Sequence, residues 1–536
     1  MKICVVPEPK KIIFNGKLLK FNGIKNIPEF LRKEFKILKG DFIIERINRK
    51  GTGLEINNKT IKIWGDQNIS LATLCQLIKQ NSTYLPEVYI EEEFKFSFRG
   101  YHLDLGRGGI PNLDYFKKIL RLLFLFKYNY FAIYFEDLFP FKKYPQIGEN
   151  RGRLTENELK QIIEYGMKLG IEVFPSLELA GHMENILTIP EFSKYSEWHR
   201  PQEGCLDISN LDARKFAYDL LDEVIGFFKS ASYIHIGGDE TWALGRGKSL
   251  NKTLKFCGPQ LYEIHHKNMI DTVIKNKKVP ILWGDMLTGM YLNKEEKNIW
   301  KKLLKSKIWD KVIIANWDYS KNDQEYFNNK IKLFNNKQQI VCPGFSNWGR
   351  FYPDFNTAIK NLKNFLNAAK NNNVMGFLAT SWGDDNAECL YSFTEILILA
   401  TSEIAEGKGN WEDKWLCFSK EERNIFDIRL NLGRFDIGYK IKDVMFRDMQ
   451  LTKKTYFCWL ELNKKMERVE LPADLRFIHN MLKSGLKKLN NKLKFYDLLN
   501  LCKEYTQLWL KERKIENLNK VLYKIKGVNL FYDYRN

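Results

Sequence analysis

The sequence predicts an α/β protein: a (β/α)8 TIM barrel preceded by a small α/β domain and followed by a mostly helical region. Three observations predict it. Between about residues 98 and 383, eight short apolar runs alternate with amphipathic segments. Acidic residues cluster at one end of those runs, the C-terminal end: Asp137, Glu178, Asp239, Glu240, Asp285, Asp318 and Asp384. Charges that merely bounded buried strands would stand at both ends, whereas the starts here are mostly apolar, Asn or Lys. After about residue 405 the chain becomes rich in Lys and Leu and poor in Gly and Pro. The expected divisions are 1–95, 96–405 and 406–536.

In the first division, "DFIIERI" and "GLEINNKTIKIWG" read as strands and "NISLATLCQLIKQ" as a helix. The barrel runs are "FRGYHLDL", "NYFAIYFED", "IEVFPSLEL", "YIHIGGDE", "VPILWGDM", "VIIANWDY", "IVCPGFSNW" and "VMGFLATSWGDD". Between them, "TENELKQIIEYGMKLG" opens with a Thr155-x-x-Glu158 capping box and closes on Gly170. "DARKFAYDLLDEVIGFFKS" carries apolar residues at helical spacing. In the last division, the stretch from "LPADLRFIHNML" to "NKVLYKI" is the clearest helical part, without a sustained heptad.

Composition excludes several classes. The 536 residues are 44% hydrophobic and 28% charged, ordinary values for a globular chain with a sizeable core. The formal charge of +20 comes from lysines spread along the whole chain, so it reads as background composition rather than a nucleic-acid footprint. "GRGKS" at 245–249 lacks P-loop spacing. Nine scattered cysteines with no C-x-x-C pair predict neither a disulfide framework nor a zinc site. The N-terminus reaches charge and proline too early for a secretory signal, and no apolar run has transmembrane length. A reduced, cytoplasmic protein with no cofactor, no metal, no nucleic-acid partner and no membrane is expected. The oligomeric state is not legible.

Chemistry concentrates in "YIHIGGDE". A strand-like run ends in Gly237–Gly238, and two carboxylates, Asp239 and Glu240, follow at once. Retaining glycosidases of the ordinary kind need carboxyls about 5–5.5 Å apart on either side of the scissile bond. Adjacent residues suit that two-sided task poorly. They suit a substrate that supplies its own nucleophile. Trp283, Trp317, Trp348 and Trp382 end runs five to eight in turn, an apolar set fit to enclose a sugar ring.

"HIGGDE", Arg99-Gly100 followed by "HLD", "AGHMEN" and "SWGDD" together resemble the β-N-acetylhexosaminidases of glycoside hydrolase family 20, and "LATLCQLIK" resembles a helix of the domain that often precedes their barrel. The resemblance spans residues 1 to about 405. It implies an exo-acting retaining hydrolase whose substrate 2-acetamido oxygen attacks the anomeric carbon. Asp239 would polarise the acetamido N–H, and Glu240 would act as acid and then base. The resemblance further implies Arg99 on the ring hydroxyls, the tryptophans around the sugar, Asp384 on O4 or O6, and a relay of Asp137 and His182 to Glu240. His235 takes a structural role. The acetamido-binding tyrosine has no clean match; Tyr319 is the candidate, with Tyr352 behind it. Strand two departs from the family's paired acidic motif, reading "FEDLF". The competing readings are a catalytically silent sugar-binding barrel, against which the retention of both Asp239 and Glu240 speaks, and a basic nucleic-acid binder, for which no motif speaks.

Overall fold

The structure is a computed structural model describing residues 3–447 and 449–527. Its first part is a five-stranded sheet of β1 (Lys11–Lys20), β2 (Ile43–Arg46), β3 (Thr52–Asn57), β4 (Thr60–Trp64) and β5 (Tyr84–Glu92), in the order β1-β5-β3-β4-β2. Alternating burial along β5 marks a sheet covered on one face. The cover is helix Gln67–Gln80, the segment expected to be helical, started by Asp66 accepting from Asn68 N and Ile69 N. The same helix ties the sheet to the next part: Gln76 Nε2 donates to Leu125 O, and Thr73 Oγ1 to Glu92, which also pairs with buried Lys127 at 2.6 Å.

The second part is a closed barrel of eight parallel strands. These are β6 (Phe98–Asp104), β7 (Tyr130–Tyr134), β8 (Glu172–Ser176), β9 (Tyr233–His235), β10 (Val279–Trp283), β11 (Ile313–Trp317), β12 (Gln339–Cys342) and β13 (Gly376–Ser381). Seven fall inside the expected runs, and β12 starts one residue before its run, at Gln339. β13 pairs with β6 to close the ring, from Gly376↔Phe98 to Ser381↔Leu103. The Thr155 capping box forms in both directions, with Glu158 N donating to Thr155 Oγ1 and Thr155 N to Glu158 Oε2.

Inside the barrel, aromatic rings define a bottom and a top. At the strand starts Phe98 stacks on Tyr130 with centroids 4.2 Å apart, and Tyr233 and Phe174 pack edge-on against them. This plug closes the N-terminal end. At the strand ends His102, His235, Trp283 and Trp382 pile together, with His235 and Trp283 at 4.2 Å. Layered bulky side chains make such a barrel a packed core, so ligands are left only the C-terminal mouth.

The third part is helical, with Trp411–Ser419, Arg423–Leu432, Lys440–Phe446, Lys453–Met466, Ala473–Leu489, Phe495–Glu512 and Leu518–Lys526 following the barrel's last helix, Glu395–Glu406. The final residues of the expected helical region, 528–536, lie outside the described part. Among the described residues, no helix is long and apolar enough to cross a membrane.

Candidate active site

The mouth holds a pocket of about 170 Å³ lined by Arg107, His182, Asp239, Glu240, Trp317, Tyr319, Trp348, Trp382 and Asp384. Its acidic edge comes from a very short strand. β9 ends at His235, and Gly237 and Gly238 then turn the chain with φ of +68° and +95°. Any side chain at Gly237 would strike the Glu178 carboxylate and the Leu177 carbonyl, its Cβ lying 2.2 and 2.4 Å from them. Asp239 and Glu240 leave that turn at different depths. The Asp239 side chain is 9% exposed and Glu240 31%, so one carboxylate lies deep and the other at the rim. Glu240 itself sits at φ +48°, a left-handed conformation costly for a non-glycine residue. Its amide donates to Asp285 at 2.9 Å, which holds the strained turn.

His182 bridges the two carboxylates, with Nε2 3.6 Å from Asp239 Oδ2 and 3.5 Å from Glu240 Oε2. Burial alone would lower its pKa. The Asp239 charge and the Glu240 contact outweigh burial and the opposing Arg107, and push it to about 10. Beneath Asp239 lies Glu178, which accepts from Gly238 N and Trp283 Nε1, both at 3.0 Å. Burial pushes Glu178 up to about 8, and burial with Glu178's charge raises Asp239 well above the carboxylate range. Two carboxyls so close do not both ionise, so the pair retains a proton at neutral pH. Asp285, buried and facing Glu240, is pushed to about 6.

These shifts have a signed consequence for stability. A carboxyl whose folded pKa lies above its unfolded value, about 4.3 for Glu, holds an extra proton in the native state. Its stabilisation is complete below the unfolded pKa and is lost as pH rises through the folded one. For Glu178 the window is therefore roughly pH 4.3 to 8. The unfolding midpoint is expected to fall more steeply between pH 5 and 8 in the unmodified protein than in Glu178→Gln. Parallel slopes in a thermal-unfolding series would show that Glu178 does not carry that proton.

The expected sugar-gripping arginine is corrected. Arg99 is the second residue of β6, at the bottom of the barrel, about 16 Å of strand rise from Asp104 at its mouth end. Its guanidinium lies over Phe94 and donates to the carbonyls of Phe96 and Lys127, just beyond the helix Leu113–Leu125. The arginine at the mouth is Arg107, in the loop after β6. It contacts Glu136 at 3.0 Å, Asp104 at 3.5 Å and Asp384 at 3.8 Å, and lies over Tyr134 and Trp382. The clue was in the sequence: "DLGRGG" follows the strand's end, where acidic residues had already marked the mouth.

Asp137 is corrected for a related reason. Glu136 takes φ +46° at the exit of β7, which breaks strand alternation. Asp137 is thereby turned away, held by Arg151 through both oxygens at 2.7 and 3.2 Å. Glu136 enters the site instead, accepting from Asn185 and Tyr134 and facing Arg107; burial pushes it to about 7. With His182 and Glu184 it brings ligand-type atoms within 4.8 Å of one another, although Arg107 already neutralises it.

The tryptophans divide by depth. Trp317, Trp348 and Trp382 line the pocket, whereas Trp283 is wholly buried under Trp382, its N–H spent on Glu178, and acts as floor. His235 packs on Trp283 and accepts from Gly237 N through Nδ1. Tyr319 OH accepts from Thr380 Oγ1 and Trp382 Nε1, both at 2.9 Å, leaving its own hydrogen for the pocket. Tyr352 packs between Phe355 and Phe393, away from the pocket. Asp384 stands at the rim, about half exposed.

Comparison with known proteins identifies the family of the barrel. The family described as "Glycosyl hydrolase family 20, catalytic domain" matches residues 96–390, more than half the chain. The chain belongs to glycosyl hydrolase family 20. Similar curated relatives are hexosaminidase D of Homo sapiens, 25% identical over 230 residues (40% of this chain, 45% of the relative), and the beta-hexosaminidase subunit beta of Entamoeba histolytica, 24% over 266 residues (44% and 46%). This family-20 chain thus spans about half the length of those relatives. In fold it is similar to the X-ray structure of Flavobacterium johnsoniae chitobiase, with a TM-score of 0.61 at 17% identity, covering 97% of this chain and 99% of the other. It is likewise similar to the family-20 exo beta-N-acetylglucosaminidase of Vibrio harveyi, crystallised with N-acetylglucosamine, with a TM-score of 0.59 at 15% identity over 78% and 77% of the chains.

The arginine assignment is directly testable. Arg107→Lys removes a forked donor set from the pocket and is expected to lower kcat/KM by roughly tenfold or more, because a point charge does not reproduce bidentate contacts. Arg99→Lys is expected to lower the unfolding midpoint while leaving kcat/KM of the folded fraction unchanged. Kinetics measured on both variants decide between them, and a reversed outcome would restore Arg99 to the site.

Proposed function

We propose that the chain is an exo-acting β-N-acetylhexosaminidase that removes terminal β-linked N-acetylglucosamine or N-acetylgalactosamine from glycans, with retention and with the substrate's acetamido group as nucleophile. One observation carries the proposal. Two adjacent carboxylates stand at different depths of one tryptophan-lined pocket, joined by His182. A pocket of about 170 Å³ at the barrel mouth is of the size of one sugar ring, which suits exo action.

In the proposed reaction the sugar ring lies against Trp382, Trp348 and Trp317, with its acetamido group in the depth of the pocket. Asp239 accepts from the acetamido N–H and Tyr319 donates to the acetamido oxygen, orienting it at the anomeric carbon. As that oxygen attacks, the glycosidic bond breaks and Glu240 at the rim gives its proton to the leaving oxygen. An oxazolinium ion forms, its N–H still held by Asp239, and the stereochemistry inverts. Glu240, now ionised, takes a proton from water, which attacks the same carbon and inverts it again, giving net retention. This substrate-assisted course is the recognised exception to two-carboxylate hydrolysis in this family. His182 holds Glu240 and Asp239 in position and counters their charge. Arg107 and Asp384 face the ring hydroxyls. Water breaks the bond between the anomeric carbon and the acetamido oxygen, which restores the acetamide, and Glu240 handles the proton in both steps.

The family membership and the hexosaminidase names of the similar proteins support this activity. The absence of a disulfide among the described cysteines supports a reducing, cytoplasmic location, which cell fractionation tests. The decisive assay offers paired aryl β-glycosides of N-acetylglucosamine and N-acetylgalactosamine, and the same aryl glycoside with a 2-hydroxyl. Turnover of the first kind and near inertness of the last are expected. Equal turnover of the 2-hydroxyl compound would remove the substrate-assisted mechanism.

A further inference from the structure

The C-terminal helices touch the barrel at the two loops that carry the hydroxyl-facing residues. The loop after β13 bears Trp382 and Asp384 and continues through Asp385, Asn386 and Ala387, all with left-handed φ of 67°, 73° and 54°. Three such non-glycine residues in succession are strained and persist only where neighbours impose them. The neighbours are C-terminal. Lys442, from the helix Lys440–Phe446, and Lys524, from the helix Leu518–Lys526, both grip Asp385 and the fully buried Glu388; Lys524 lies at 2.5 Å from each. Arg513 donates to the carbonyls of Ala387 and Cys389 from the far side.

The same short C-terminal segment holds the loop that carries Arg107. Asn112 N donates to Glu512 O at 3.0 Å and Lys514 N to Ile110 O at 2.9 Å. Glu512's side chain meanwhile accepts from Tyr391 N and Ser392 N of the other loop. One segment therefore stitches both loops, and across the stitch Arg107 meets Asp384 at 3.8 Å.

We infer that the C-terminal helical region is a positioning device for the hydroxyl-reading edge of the pocket, with Lys524 and Asp385 as its adjustable contact. This deepens the hexosaminidase proposal and rests on it. Neither residue lines the pocket. They act through Asp384 and Arg107, so ring-hydroxyl recognition depends on them while the Asp239–Glu240 chemistry does not. Loosening the contact lets Asp384 and Arg107 drift, which weakens binding and blurs discrimination at the hydroxyl whose orientation separates the two hexosamines.

The test uses the full chain with Lys524→Met, Asp385→Asn and the conservative Lys524→Arg, on both aryl β-N-acetylhexosaminides. Lys524 and Asp385 are part-exposed, and unfolding midpoints verify that each variant is folded. For Lys524→Met and Asp385→Asn, KM is expected to rise roughly tenfold with kcat within about twofold, as for a lost polar contact that serves binding. The ratio of kcat/KM between the two sugars is expected to move toward one, and Lys524→Arg to restore both. A merely structural role lowers the midpoint without moving that ratio. Unchanged KM and ratio in folded variants of an active enzyme overturn this inference alone. An unmodified protein inactive on both sugars overturns the hexosaminidase proposal first.

Discussion

Glu240→Gln will slow release of poor leaving groups by about 10²–10⁴-fold, the usual range for a lost general acid. Aryl glycosides of acidic phenols will keep most of their bond-cleaving rate, because the departing oxygen needs little protonation. The rim position underlies this contrast. Glu240 is the more exposed of the pair, which under the proposed mechanism puts it toward the leaving group. Its partner His182 remains in the variant, and Gln accepts and donates in nearly the same volume, so the pocket keeps its shape. A plot of log kcat/KM against leaving-group pKa is expected to steepen in Glu240→Gln. A loss of equal size across the series would show that Glu240 is not the acid.

Asp239→Asn will behave differently. Polarising the acetamido N–H serves the attack itself, whatever group departs, so the loss is expected to be roughly 10²–10³-fold for good and poor leaving groups alike, comparable to removing one preorganised transition-state contact. Asp239 is suited to the task by depth. It is buried against Glu178, with one oxygen toward His182. The Asn variant also removes one charge from the carboxyl cluster, so the pH at which His182 deprotonates is expected to fall, since Asp239 is the largest influence holding it up. An NMR titration of His182 follows that fall independently of turnover. A loss in Asp239→Asn that tracks leaving-group acidity, or a sugar found covalently on Asp239, would overturn the division of labour between the two carboxylates.

The barrel was legible from the sequence because its signals are local. Eight apolar runs of strand length need no long-range information to be seen, and the eight strands coincide with them to within one residue, β12 starting at Gln339. The acidic pair was legible for the same reason: "GGDE" shows a turn that only glycine permits, followed at once by two charges. Trp317, Trp348 and Trp382 were placed at the mouth by their positions at run ends, and His182, Tyr319 and Asp384 by the family resemblance; all six line the pocket.

What tertiary structure alone decided concerns side-chain direction and contacts between distant segments. Arg99 and Arg107 are eight positions apart, yet one holds the carbonyls of Phe96 and Lys127 at the barrel's bottom and the other reaches the pocket. Asp137 and Glu136 are neighbours, and a single left-handed residue exchanged which of them faces the site. Trp283 ends its strand as Trp317 does, yet it is wholly buried against Trp382 with its N–H bonded to Glu178. The C-terminal helices could be recognised as helices from spacing, whereas their hold on Asp385 and Glu388 crosses more than 50 residues in one case and 130 in the other. Periodicity is written residue by residue along the chain. The depth of a side chain and its distant partner exist only once the barrel has closed, because closure sets which ends of the strands meet.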